Sequence, residues 1–137
     1  MRRSPLRRQS VKSRSKNSDR KTVVSKVLAA SPYCVACKLW AELDMYNNSL
    51  SSFVIHQNPS RDVHEILNRS QGGSILNELN LLAICRDCHS RVTTNPSDAA
   101  RLGLHVPAWC NTDEHLTEAA RVRLSWLYGI PYQPEWV

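Results

Sequence analysis

The stretch that decides the fold is Asp62–Pro96, DVHEILNRSQGGSILNELNLLAICRDCHSRVTTNP. Its first six residues alternate. Val63, Glu65 and Leu67 fall on one side, and Asp62, His64 and Ile66 on the other, as in a strand. A polar loop runs from Asn68 to Asn80, with Gly72-Gly73 at its middle. Leu81–Ile84 is a short apolar run that suits a buried strand. A helix is expected from about Arg86 to Thr94, where Asn95-Pro96 stops it. The expected order is therefore strand, loop, strand, helix.

The second strand runs directly into Cys85-x-x-Cys88-His89, and a second pair of thiols, Cys34-x-x-Cys37, lies upstream with 47 residues between. A two-residue gap lets both thiolates of one tight turn reach a single ion. Two such turns supply four sulfurs, the closed set of a structural zinc site. The alternatives are buried free thiols and a redox Cys-x-x-Cys. Two pairs without a thioredoxin-like pattern speak against the redox reading. A zinc with four thiolates has no open position, so it stabilises folding rather than catalysing. Cys110 is left over as a free core or surface thiol.

Bulk properties fit this picture. The chain has 137 residues, 42% hydrophobic, which is one domain's worth with a tail. A domain this small gains much from a metal staple. No apolar run approaches the roughly 18–20 residues of a membrane span. No secretory apolar segment follows the basic start, so a cytoplasmic protein with no membrane partner is expected. In a reducing compartment, five cysteines read as metal ligands before disulfides.

The net charge of +6 is uneven. Residues 1–26 carry ten Lys/Arg and one acid, a charge of +9, and residues 27–137 carry −3. Residues 1–21 are Ser/Arg/Lys-rich and nearly free of apolar side chains, so a disordered basic arm is expected. Such an arm suits nucleic acid, where each neutralised phosphate releases counterions; the plainer reading is a solubilising tail. Three units follow: the arm (1–21), a domain (22–107), and a C-terminal helix with its tail (108–137).

Outside the central stretch, Thr22–Ala30 places Val23, Val24, Val27 and Leu28 at helical spacing, ended by Ser31-Pro32. Leu39–Tyr46 suggests a helical turn or two, Asn47–Ser52 a loop and Ser52–His56 a short strand. Pro96–Leu102 reads as a short helix with Gly103 past its end. Asp113–Tyr128 reads as an amphipathic helix opened by Asn111 or Thr112. Leu116, Ala119, Ala120, Leu124 and Leu127 form its apolar stripe. The four tryptophans read as core or interface residues.

The histidines and arginines suggest chemistry. If the two strands pair, His64 faces His89 across the hairpin. Two imidazoles with room for water and phosphate oxygens make an open metal site. On spacing alone each reads more readily as a structural histidine. Arg69, Arg86 and Arg91 surround this place and are candidate nucleic-acid contacts, or ordinary surface charges. His56, His105 and His115 have no partner pattern.

From Cys34 to about Leu104 the chain resembles the HNH endonuclease family, the zinc-containing ββα-metal type, and within it the small phage-encoded members. The residues that carry the resemblance are Cys34, Cys37, His64-Glu65-Ile66, Arg69-Ser70-Gln71-Gly72-Gly73, Asn80-Leu81, Cys85, Cys88 and His89. The resemblance implies an α+β fold: a small ββα-metal domain with a four-cysteine zinc, flanking helices and a basic arm. It implies DNA as substrate, and a structural Zn2+ beside a catalytic Mg2+, Mn2+ or other divalent ion.

The same resemblance makes His64 and His89 ligands of the catalytic metal, and makes Asn80 the residue that braces the loop. It further implies a phage protein acting with the terminase large subunit in genome packaging, in the host cytoplasm.

The chain departs from the family at Glu65, which stands where the family has its general-base histidine, and at Asn68, which replaces the common proline. Three readings stay open. Glu65 is the base; or His64 is the base with Asp62 helping on metal; or the site is weakened. A noncatalytic zinc-stabilised DNA-binding module is the competing class.

Overall fold

The computed structural model describes residues 11–48, 57–68 and 73–137. Their elements are α1 (Val11–Ala30), α2 (Ala36–Asn48), β1 (Asp62–Glu65), β2 (Leu81–Ile84), α3 (Arg86–Thr94), α4 (Pro96–Arg101) and α5 (Asp113–Leu127). The described chain is thus mixed α+β, with five helices around a two-stranded antiparallel sheet. Among the described residues, no helix is long and apolar enough to cross a membrane. The expected Ser52–His56 strand, His56 itself, Arg69–Gly72 and residues 1–10 of the arm lie outside the described residues.

The hairpin forms in the register its pattern demands. Asp62 pairs with Ile84, Val63 with Ala83, His64 with Leu82 and Glu65 with Leu81. Strand pairing ends at Glu65, yet Ile66 N still donates to Asn80 O at 3.0 Å. The loop is closed from inside. Asn80 is fully buried; its Oδ1 accepts from Leu67 N at 2.7 Å and its Nδ2 donates to Leu67 O at 2.9 Å. Gly73 is required there, because a Cβ would come 1.7 Å from Leu67 O.

Three helices differ from expectation. First, α1 starts at Val11, so residues 11–21 are helical rather than part of a disordered arm. No Pro or Gly interrupts this run, and Lys and Arg are good helix formers. Its half-buried Val23, Val24, Val27 and Leu28 pack toward the hairpin and anchor it. Second, α2 is a full 13-residue helix from Ala36, not a turn or two, and it runs on through Asn47 and Asn48. It buries Ala36, Leu39, Trp40 and Leu43 at i, i+3, i+4 and i+7, a complete helical stripe. Third, the buried face of α5 is Leu116, Ala119, Val122 and Trp126. Leu124 was expected inward but is 51% exposed. The seam rotates because the larger Trp126 takes the inward place.

Helix ends follow local chemistry. Cys85 caps α3, and its sulfur accepts from Cys88 N. Thr112 caps α5, with His115 bonding back to it. At the end of α4, Leu104 N bonds Ala99 O and Gly103 N bonds Ala100 O, with Gly103 at φ 74°. This is a Schellman stop, and buried Leu104 supplies its apolar contact. Trp126 and Trp136 then donate their indole N–H groups to Arg101 O and Ala100 O.

One apolar cluster joins α2, β2, α3, α4 and α5, and a second joins Ile66, Leu67, Val106, Cys110, Leu116 and Ala119. Leu82 and Trp136 touch both. The C-terminal segment therefore closes the same core as the hairpin.

Candidate metal centre and histidine pair

The four cysteines meet. Cys34 and Cys37 lie at the start of α2, and Cys85 and Cys88 at the start of α3. Helix N-termini favour anionic sulfur. Cys37 Sγ is 3.9 Å from Cys85 Sγ and 3.8 Å from Cys88 Sγ, and all four sulfurs lie within 4.8 Å of one another. A Zn–S bond of about 2.3 Å puts tetrahedral sulfurs roughly 3.8 Å apart. The cluster therefore fits a metal ion such as zinc.

Its thiols are strongly coupled. Cys34 is pushed down to about 5, chiefly by its hydrogen bond with Cys88, which pushes Cys88 up. Burial pushes Cys37 up to about 11. Four thiols in one small volume do not all ionise unless a cation joins them.

The knuckles are tied to the hairpin. Cys34 N donates to Asn58 O at 2.8 Å, Val35 N to Ala83 O at 3.3 Å, and Arg61 N to Ile84 O at 2.9 Å. Asn58 Nδ2 also reaches Cys85 Sγ at 3.7 Å. Locking the cluster thus fixes β2, the start of α3, and with them His89.

His64 and His89 do come together, with ring centroids 5.4 Å apart and planes at 65°. His89 Nδ1 lies 3.0 Å from Asp62 Oδ2. His64 is buried, and its Nε2 lies 2.6 Å from Leu104 O. A carbonyl only accepts, so Nε2 carries the proton and Nδ1 keeps its lone pair. In a neutral His89 ring the Asp62 carboxylate likewise selects Nδ1–H and leaves the lone pair on Nε2. Burial pushes His64 down to about 4, against the opposing pull of Leu104 O. His64 is therefore neutral around pH 7.

Each imidazole thus offers one basic nitrogen while an acceptor orients the other. Among the described residues, only the four-cysteine cluster brings three or more metal-ligating side chains within 4.8 Å.

The other expected residues divide. Asn80 braces the loop as expected, through Leu67 and Ser74. Glu65 is half-buried at the end of β1, and strand alternation sets it on the face opposite Asp62 and His64. Arg86 is largely exposed, with Nε 3.9 Å from Asp62 Oδ1. Arg91, a candidate nucleic-acid contact or an ordinary surface charge, binds α2. It holds Asp44 with two bonds of 3.1 and 2.7 Å and stacks 4.3 Å over Trp40. The aromatic face and fixed carboxylate match a planar guanidinium better than open water does. Arg69 lies outside the described residues.

Sequence reading missed one participant, the Leu104 carbonyl that meets His64. Gly103 marked a turn there, but nothing local told which carbonyl would meet His64. No protein-family model matches the chain, and neither does any curated protein or solved structure.

Proposed function

We propose that the chain is a metal-dependent endonuclease of the HNH type that nicks or cleaves DNA phosphodiester bonds. The observation that carries this reading is the meeting of Asp62, His64 and His89 on one face of a hairpin that four cysteines hold in place. In this reading the cysteines bind a structural zinc. The lone-pair nitrogens of His64 and His89, with Asp62 beside them, form the donor set for a divalent ion. Metal-binding histidines usually give their other N–H to a carbonyl or carboxylate, as both do here.

A divalent ion at such a donor set supplies charge stabilisation to a scissile phosphate. The residues contribute orientation. Leu104 O and Asp62 set the tautomers, the buried hairpin limits water, and exposed Arg86 is placed to hold a flanking phosphate. Two assignments of the base compete: Glu65, or His64 through Nδ1. The shared face of Asp62 and His64 favours His64; its Nδ1 then leaves the donor set, and Asp62 and His89 alone would hold the ion. Basic α1, packed beside the hairpin, suits the DNA backbone. A phage setting with the terminase large subunit as partner remains an analogy to the family it resembles.

The second reading is a zinc-stabilised DNA-binding module without catalysis. The basic helix and cysteine cluster serve it equally well, but it has no need of paired, oriented imidazoles. Supercoiled-plasmid nicking with and without EDTA separates the two. The nuclease reading expects nicking in Mg2+, Mn2+ or Ni2+ that EDTA and His89→Ala abolish. Equal, negligible nicking by wild type and His89→Ala in all three metals would sink it.

A further inference from the structure

We propose that Arg123 is a positioning residue that holds the Gly103–Leu104 turn so that Leu104 O orients His64. The proposal rests on the nuclease reading for its consequence but on geometry for its cause.

Three observations converge on the turn. Arg123, on α5, donates from Nη1 to Gly103 O at 2.5 Å. The next carbonyl along the chain, Leu104 O, is the one His64 Nε2 meets at 2.6 Å. Gly103 also lies against α5 so closely that a Cβ would come 2.3 Å from Ala119 O. The C-terminal helix thus grips the backbone whose next carbonyl serves the histidine pair. The grip continues beyond it, where Val106 N donates to Ile66 O at 3.4 Å.

The environment of Arg123 supports this role. Its guanidinium is largely buried, and that burial pushes it down to about 10. Among the described residues it has no ion pair with a carboxylate. A buried guanidinium without a counter-charge is costly. Here its Nη1 hydrogen bond goes to a turn whose own curvature is already set by Gly103. An apolar side chain in its place would leave Gly103 O without this donor. A charged donor gives the carbonyl a fixed direction, and the Leu104 peptide follows it.

The test uses the full-length, zinc-loaded chain labelled with 15N. Long-range 1H–15N spectra of the imidazoles report tautomers, and His64→Gln assigns the His64 signal. In wild type His64 should appear as a single Nε2–H tautomer. Arg123→Met removes the donor but keeps the apolar stem. It should turn His64 into a tautomer mixture and lower kcat about tenfold with KM for DNA little changed, the scale of losing an orienting partner. Arg123→Lys should restore much of both.

Should the Met variant not fold, Arg123→Ala and Arg123→Gln carry the same comparison. A single His64 tautomer in Arg123→Met would overturn the proposal. So would a raised KM with kcat retained, which would make Arg123 a DNA contact. The spectra read out without catalysis. A chain that shows the tautomer response but never nicks DNA would refute the nuclease reading and leave the positioning role intact.

Discussion

His64 Nε2 lies 2.6 Å from the carbonyl oxygen of Leu104, forty residues further along the chain. This bond joins the first strand of the hairpin to the turn after α4. It ties the orientation of one imidazole to the packing of the C-terminal half. Burial, against the pull of this bond, keeps His64 neutral inside the fold, which makes stability depend on pH.

Burial lowers His64 to about 4 from an ordinary 6.5. The unfolded chain therefore binds a proton more readily between those values. Stability is full above about pH 6.5, falls as pH drops through the window, and levels off below about 4. The loss is on the order of 3 kcal/mol at most. Urea unfolding at several pH values should show this slope in wild type. It should shrink in His64→Gln, while the thiol cluster and His105 contribute equally to both.

Metal removal should be drastic. The two knuckles have 47 residues between them, and their sulfurs meet where the start of α2 faces the start of α3. Chelation, or Cys37→Ser, should lower stability by about 3 kcal/mol or more, roughly 10–20 °C in Tm. Elemental analysis should find one tightly bound zinc per chain in wild type. Finding none would remove the staple.

Asp62 and Glu65 should separate in activity. Asp62→Asn loses the charge that orients His89 across 3.0 Å. A drop of about 10–100-fold in nicking, with little change in Tm, is expected. Glu65→Gln tests the other assignment in the same assay. Retained nicking would point to His64 as the base, and collapse would point to Glu65. A rise with Glu65→His would show that the carboxylate is a poor substitute for imidazole.

Asn80 should matter for the fold first. It is fully buried and bonds both Leu67 N and Leu67 O. Asn80→Ala leaves both backbone groups unpaired and should cost about 2–4 kcal/mol in denaturant unfolding. A cost below about 0.5 kcal/mol would show that water replaces the side chain without penalty.

The two arginines of α3 should behave differently. Arg86 is exposed, so Arg86→Ala should weaken DNA binding and reduce the salt dependence by about one counterion. Arg91 is held by Asp44 and Trp40, so Arg91→Ala should leave that slope unchanged. Its cost should appear as about 1–2 kcal/mol of stability. Fluorescence titrations at several salt concentrations distinguish the two.

Much of this molecule was legible locally. The Cys-x-x-Cys spacing announced the cluster because two thiols of one tight turn have few other uses together. Alternation around His64 and the stops at Asn95-Pro96 and Gly103 announced the hairpin, α3 and α4, since strand period and proline sterics act within a few residues. The pairing of His64 with His89 followed once the strands were antiparallel. The partners of Arg91, Asp44 and Trp40, were not legible because they come from a helix whose full length was not evident. The inward turn of α5 was misjudged for a similar reason: Leu124 and Trp126 are both apolar, and only packing decides between them.

By itself, the sequence determined the parts whose physics is local: four thiols at a spacing that can hold a metal ion, two strands, a capped helix and a pair of histidines placed to meet. Tertiary structure alone decided what those histidines touch. Leu104 O reaches His64 from the turn after α4, Arg123 of α5 bonds the neighbouring Gly103 O, and His89 of α3 meets Asp62 of β1. Their convergence depends on how α4 and α5 close the core, a long-range outcome that no spacing rule encodes.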